Sequence, residues 1–421
     1  MRTILVFILI SISILGYSQT DFISLDKQSY DYYLKGDYKN LKQTAKKQFD
    51  LGMDYYYLRM RLGILAYNNH HYASAYKHFQ KALTFNNYDT ISREYIYYSY
   101  LFAGRKADAG LYLKNINLNQ KNMHLKSLES GGFSNFYSGI NYTSNDAKLY
   151  TSNPLTYEAI ENSLSVYAGF ETYFGSKTKL NLGYTNFRKT GTFYSSTNTT
   201  GEYRTFKQNQ VYGKLCILTY PGFEFFGYGH IAFYTEESAQ TTFGGRRSSA
   251  QIFTESTFGL GLTKNLWKLR FSGNGSYSKF GGSNQFRGEA SITYLPFGNL
   301  NLYTTTNGMY QNDKHWGATY QFSQDIGFKT FKYLWIEAGV MTGNSFLYTR
   351  NQGATINNSF LIPALSVYGN AIVMLGNHFS ITLTPSFSKN TLYTWDTINY
   401  TQSNKVNSNS TGFSFTLTYK K

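Results

Sequence analysis

From Gly131 to Lys421, apolar and polar residues alternate with a period of two in one run after another. In the last run Phe413, Phe415, Leu417 and Tyr419 alternate with Ser414, Thr416 and Thr418. In the run before it Phe379, Ile381, Leu383, Pro385 and Phe387 alternate with Ser380, Thr382, Thr384 and Ser386. That period sends alternate side chains to opposite faces of a strand. Upstream, Asp21–Leu128 changes to helical spacing. At the start, Arg2 precedes the apolar run Ile4–Leu15, and Gly16 and Ser18 follow as small residues. The run is too short to cross a bilayer and reads as a secretory signal. The expected chain is therefore α+β and multidomain: a signal peptide over 1–18, a helical domain over 19–128, and an antiparallel transmembrane β-barrel over 129–421.

Connection lengths distinguish a membrane barrel from a soluble sandwich. Short turns are expected at Gly175-Ser176-Lys177, Tyr220-Pro221-Gly222, Lys264-Asn265-Leu266, Pro296–Asn299, Lys329–Lys332 and Gly376-Asn377-His378. Long polar connections are expected at Thr143–Glu161, Thr190–Glu202, Glu236–Ser249, Ser345–Asn358 and Lys389–Asn409, with shorter ones near Gly281 and Asn312. Short turns at one rim and long loops at the other are the pattern of an outer-membrane barrel, here of about fourteen strands.

Charge placement agrees. With each strand's lipid face set by its apolar parity, Glu171, Lys214, Glu224, Glu255, Lys268, Arg270, Arg287, Glu289, Asp325 and Glu337 all fall on the inward face. A Lys or Arg facing lipid at the midplane costs about 2–4 kcal/mol. Mixed charges on many strands predict a narrow or partly filled lumen, with Arg270 and Glu289 as neighbours and a slight preference for cations.

The helical stretch has a repeat. In Tyr56–Asn87, Leu62, Gly63, Tyr67, Ala75, Phe79, Ala82 and Leu83 have the spacing of a tetratricopeptide unit, with small residues where paired helices approach. One period back lie Tyr33, Gly36 and Leu41, and one period forward Leu101, Gly104 and Ala109. The stretch resembles a three-repeat tetratricopeptide array, departing from it at Arg59, where Trp is common, and at Asn87, where Pro is common. The whole chain resembles outer-membrane barrels with a periplasmic tetratricopeptide domain, an arrangement of Bacteroidetes-like envelopes. The resemblance implies a periplasmic groove for a protein partner, with Tyr57, Asn68, Glu94 and Tyr98 as its exposed candidates.

Composition narrows the chemistry. No long apolar run follows the first segment, which excludes a helical membrane protein. The formal net charge is +16; for an exported chain this suits contact with lipopolysaccharide phosphates and anionic lipid rather than nucleic acid. The one cysteine, Cys216, has the inward parity and no disulfide partner. His230 points inward, away from the rim where a lipase pair would sit. His70, His71 and His78 have no cysteine or carboxylate cluster at metal spacing. No catalytic residue, cofactor or metal is expected. Two function classes stand: a barrel whose helical domain recruits a periplasmic protein partner, which is the expectation, and a narrow pore for small solutes or ions.

Overall fold

Left-handed residues recur at a fixed spacing in the helical part of the chain. Gly36, His70 and Gly104 have φ of 68°, 61° and 72° and recur every 34 residues. Each closes the same pair of backbone hydrogen bonds. Gly36 N donates to Tyr33 O and Asp37 N to Tyr32 O, a pattern repeated at His70–His71 and at Gly104–Arg105. Such bonds satisfy the last carbonyls of a helix and turn the chain back on itself. They divide the segment into hairpins: α1 (residues 22–34) with α2 (Tyr38–Asp50), α3 (Tyr56–Asn68) with α4 (Tyr72–Phe85), and α5 (Thr90–Phe102) with α6 (Lys106–Leu113). Asp37 caps α2 through Asn40 N, and Asp89 caps α5 through Ile91 N and Ser92 N.

The computed structural model describes residues 22–113, 132–146, 157–175, 177–195, 198–242, 245–280, 282–315, 317–357, 361–395 and 402–421. The expected signal peptide lies outside them. The chain divides into two units, Met1–Leu125 with Pro296–Leu300, and Lys126–Leu295 with Asn301–Lys421.

In the first unit Leu41, Ala45, Leu58, Leu62 and Leu65 form a buried core. Gly63 lets α3 and α4 close: a Cβ there would stand 2.8 Å from the Phe79 ring. Phe79 is fully buried and stacks on Tyr95 at 4.7 Å between ring centroids. Arg105 is buried with Asp108 at 2.6 Å and lies over the Tyr100 ring at 4.4 Å.

The second unit is a closed antiparallel barrel of fourteen strands. In chain order they are β1 (Gly132–Asn145), β2 (Tyr157–Phe174), β3 (Thr178–Ser195), β4 (Asn198–Tyr220), β5 (Phe223–Thr242), β6 (Gly245–Leu266), β7 (Leu269–Phe280), β8 (Ser283–Tyr294), β9 (Leu302–Asp313), β10 (Gly317–Phe331), β11 (Leu334–Gly343), β14 (Ile362–Leu375), β15 (Phe379–Trp395) and β16 (Gln402–Lys420). A short hairpin, β12 (Tyr348–Arg350) and β13 (Thr355–Asn357), forms a separate sheet between β11 and β14. Strand β1 pairs with both β2 and β16, so Tyr137 faces Gly169 on one side and Thr418 on the other, and no edge is left open.

The two faces differ as a membrane requires. On β6, Phe258 and Leu260 are 55% and 75% exposed, while the alternating Glu255 and Thr257 are 4% and 0% exposed. The outward band of Phe225, Val211, Leu262, Val367 and Leu417 is exposed apolar surface, the lipid face of an outer-membrane barrel. Inward glycines make room for aromatic rings on the next strand; a Cβ on Gly259 would meet the Tyr228 ring at 2.2 Å.

Three sequence expectations are corrected. The stretches Thr190–Glu202, Glu236–Ser249 and Lys389–Asn409 are largely ladder, not loop: β3 pairs with β4 out to Ser195–Asn198, β5 with β6 out to Thr242–Gly245, and β15 with β16 out to Trp395–Gln402. Alternation in hydrophobicity ends where lipid ends, but hydrogen-bonded pairing continues into water. The turn expected at Lys264-Asn265-Leu266 lies at Trp267-Lys268 instead, because Asn265 stays in register with Arg270 and accepts from its Nε at 2.8 Å. Lys268 is therefore a turn residue, its Nζ 5.1 Å from the Trp267 ring centroid, and not a lumen charge. The third correction concerns Ser345–Asn358 and forms the site below.

Candidate functional site

The connection between β11 and β14 carries Phe346, Leu347 and Tyr348 in succession, an apolar run that water would not favour. It is not an outer loop. Phe346, Leu347, Tyr348 and Thr349 are 8%, 2%, 4% and 2% exposed. Phe346 and Leu347 cluster with Phe280 of β7 and Ile362 of β14, with Ile356 packed against them. The hairpin is held in register by Tyr348–Asn357, Thr349–Ile356 and Arg350–Thr355. Its tip turns through Asn351, Gln352 and Gly353, with φ of 54°, 55° and 81°. Two non-glycine residues in the left-handed region cost roughly 1 kcal/mol or more each, so the contacts of the tip must hold them.

Those contacts reach the far wall. Tyr212 of β4 donates its hydroxyl to Gln352 O at 3.1 Å. Lys214 Nζ, also on β4, donates to Gln352 Oε1. His230 of β5, 1% exposed, donates from Nδ1 to Gly353 O at 2.7 Å. Nearer the root, Gln311 Nε2 of β9 donates to Phe346 O at 3.0 Å. Position in the ring gives these bonds their meaning. In the strand order, β4 lies seven steps from β11 in either direction around the fourteen strands. A hairpin rooted on β11 and bonded to β4 crosses the lumen along a diameter.

The inward charges expected from parity are inward, Lys268 apart, but their partners differ from expectation. Arg270 and Glu289 do not meet. The register sets Arg270 opposite Thr293 and Glu289 opposite Asn274, four residues out of step along β8. Glu289 instead lies 3.6 Å from Arg287 on its own strand. Glu337 accepts from Tyr303 and Asn370, and Asp325 from Tyr368 and Asn307. Glu171 pairs with Lys179 at 3.6 Å. Glu224 lies two positions from Phe226 on the inward face of β5. Glu255 is buried on β6.

Sequence parity missed two cations that matter. Lys179 is the second residue of β3, close to the strand's end, and pairs with inward Glu171. Arg350 is carried in by the hairpin and stands 5.8 Å over the Tyr368 ring. With these added and Lys268 removed, six acids face five bases, and the excess behind the expected cation preference shrinks from two to one. The filling of the lumen comes from a hairpin, not from charges paired across it. Cys216 is buried beside Tyr212, Phe226 and Tyr228.

In the helical unit, Tyr57 and Asn68 lie on α3 and Glu94 and Tyr98 on α5. Tyr57, Asn68 and Glu94 are exposed, while Tyr98 is half-buried and stacks on Phe102 at 6.2 Å between centroids.

No family model matches the chain, and no curated protein matches it. Solved structures do. The toluene transporter TbuX of Ralstonia pickettii aligns over 69% of this chain and 90% of its own, at 8% identity and a TM-score of 0.46. A Pseudomonas aeruginosa FadL homologue aligns over 76% and 94%, at 11% identity and a TM-score of 0.46. The Pseudomonas putida toluene transporter TodX aligns over 69% and 89%, at 8% identity and a TM-score of 0.40. The expected partner-recruiting scaffold is corrected at this point. The built geometry of this chain, a hairpin bonded to the opposite wall, lies in the barrel lumen rather than on the helices.

Proposed function

We propose that the protein is a narrow outer-membrane pore for small solutes or ions, with no catalytic role, whose bore is set by the β12–β13 hairpin. The observation that carries this reading is the bonding of Gln352 and Gly353 to β4 and β5, diametrically across the barrel from the root of the hairpin. A purely structural barrel needs no such span, and a wide general porin would be obstructed by it. The lumen wall is polar, with Thr293, Thr305, Asn307, Asn370 and Thr384 bonded among themselves or to neighbouring acids. Such a wall replaces water around a polar solute.

In this reading the helical unit faces the periplasm, since an even number of strands returns the chain to the side where it entered. The 34-residue recurrence of the helix turns supports a tetratricopeptide-like array there. The outer face contacts lipid and lipopolysaccharide.

Proteoliposome swelling tests the pore. Small sugars should enter proteoliposomes holding the folded barrel, and larger oligosaccharides should not. Absence of swelling with every solute, in preparations whose barrel is shown folded by heat-modifiable migration, would remove the reading.

A further inference from the structure

Buried polar groups in folded proteins almost always find partners, so an exception calls for a physical cause. Three neighbouring side chains beneath the hairpin are exceptions. Arg287 of β8 is 4% exposed, yet its Nε and Nη1 have no hydrogen-bond partner. Its Nη2 has one acid, Glu289 Oε2, at 3.6 Å, and its guanidinium lies 5.8 Å from the Tyr348 ring centroid. Gln311 stands directly opposite on β9. Its Nε2 is used by Phe346 O, and its Oε1 has no partner. Gln285 precedes Arg287 by two residues on the same face of β8, is 2% exposed, and leaves Nε2 without a partner.

The three side chains therefore hold three donor nitrogens and one acceptor oxygen without partners on the paired strands β8 and β9, with the Asp313 carboxylate, which accepts from Ser283 and the His315 amide, opposite Gln285 as a further acceptor for a hydroxyl. A buried guanidinium with one loose carboxylate is costly unless something else completes it. Donors of this kind, two of them on a guanidinium, match an oxyanion. The free Gln311 oxygen would oppose a bare anion but accepts from a hydroxyl. The complement is an oxyanion that also carries an O–H group, such as a protonated phosphate or a hydroxy acid.

We propose that Arg287, Gln285 and Gln311 form a binding station in the lumen for a small hydroxyl-bearing oxyanion, held between β8, β9 and the hairpin. The inference rests on the pore reading for the route by which such a solute arrives. Calorimetric titration of the full-length protein in detergent micelles tests it, with inorganic phosphate, sulfate, glycolate and acetate as probes. Phosphate or glycolate should bind saturably, and its counterpart lacking the hydroxyl, sulfate or acetate, at least tenfold more weakly. Whether phosphate or glycolate binds more tightly identifies the source of the oxyanion. Arg287→Gln should weaken binding at least tenfold. Gln285→Leu, which buries no charge and keeps the hairpin contact, should weaken it several-fold while leaving heat-modifiable migration intact.

Failure of all four probes to bind the wild-type protein overturns the station and leaves ordered water as the partner of these atoms. Equal affinity in Gln285→Leu, Arg287→Gln and wild type overturns it as well. Phosphate or glycolate binding in a protein silent in lipid bilayers would uphold the station and remove the pore. Conduction without binding would do the reverse.

Discussion

Of the hydrogen bonds that seat the hairpin tip on the opposite wall, those of Tyr212 and His230 hold its backbone carbonyls, and removing both gives a graded test of how it is held. The double variant Tyr212→Phe, His230→Phe keeps the ring volumes close and deletes the donors to Gln352 O and Gly353 O. Leaving a buried acceptor without its donor costs about 1–3 kcal/mol. The lumen around the tip is polar and water can re-solvate the carbonyls, so the low end applies, about 2 kcal/mol for the pair. At 1.4 kcal/mol per factor of ten, the ratio of displaced to seated hairpin should rise roughly 30-fold. Hydrogen exchange of the purified protein reads that ratio directly. Amides of the Tyr348–Asn357 hairpin should exchange roughly 30-fold faster, while the ladder of β4 and β5 keeps its protection. Acceleration under about threefold, or equal acceleration throughout the barrel, would refute the account of the tip as an anchored span.

Further outcomes follow from the helical unit and from the topology. Gly63→Leu drives a side chain into the Phe79 ring, 2.8 Å from the Cβ position, and should melt the helices while heat-modifiable barrel migration survives; joint loss would show one folding unit. Burial, reinforced by the Arg59 guanidinium, lowers the His78 pKa from 6.5 to about 4, and Arg59 Nη1 donates to its Nδ1 at 3.3 Å. The neutral ring is the folded form, so its contribution of roughly 3 kcal/mol is complete above pH 6.5 and is lost as pH falls toward 4. Thermal melts of the helical signal between those limits should show this, and His78→Gln should flatten the slope; an unchanged slope would sink the assignment. Cysteine at Asn407 should label on intact cells and cysteine at Lys332 only after permeabilisation, and the opposite pattern would invert the barrel.

Strand number and the inward face were legible in the sequence because lipid imposes both: one side of every spanning strand must be apolar, and the sheet must close. Strand ends were not, because beyond the lipid both faces of a strand meet water and polarity no longer separates ladder from loop. That is why Thr190–Glu202 and Glu236–Ser249 read as loops. The Lys-Asn of 264–265 read as a turn because those residues favour turns, while the pairing of Asn265 with Arg270 outweighed the preference.

The hairpin left a trace that polarity masked. Phe346-Leu347-Tyr348 and Ile356 sit among Ser, Asn, Gln and Gly in Ser345–Asn358, and the average is polar. The individual apolar residues, which an outer loop has no reason to carry together, were the readable sign. Its bonds to β4 and β5 were beyond local reading, since they join residues more than a hundred positions apart and depend on barrel closure. Lys179 was lost for a smaller reason: it is the second residue of β3, at the strand's end, outside the mid-strand charges that the parity test covered.

The measurement that bears most directly on the pore and its constriction is single-channel conductance in planar bilayers, for the wild-type protein and for a folded variant with residues 346–356 replaced by a short Gly-Ser link. A hairpin spanning the lumen predicts small unitary currents for wild type and currents several-fold larger after excision. A wild-type conductance like that of a general porin, unchanged by excision, would contradict the account.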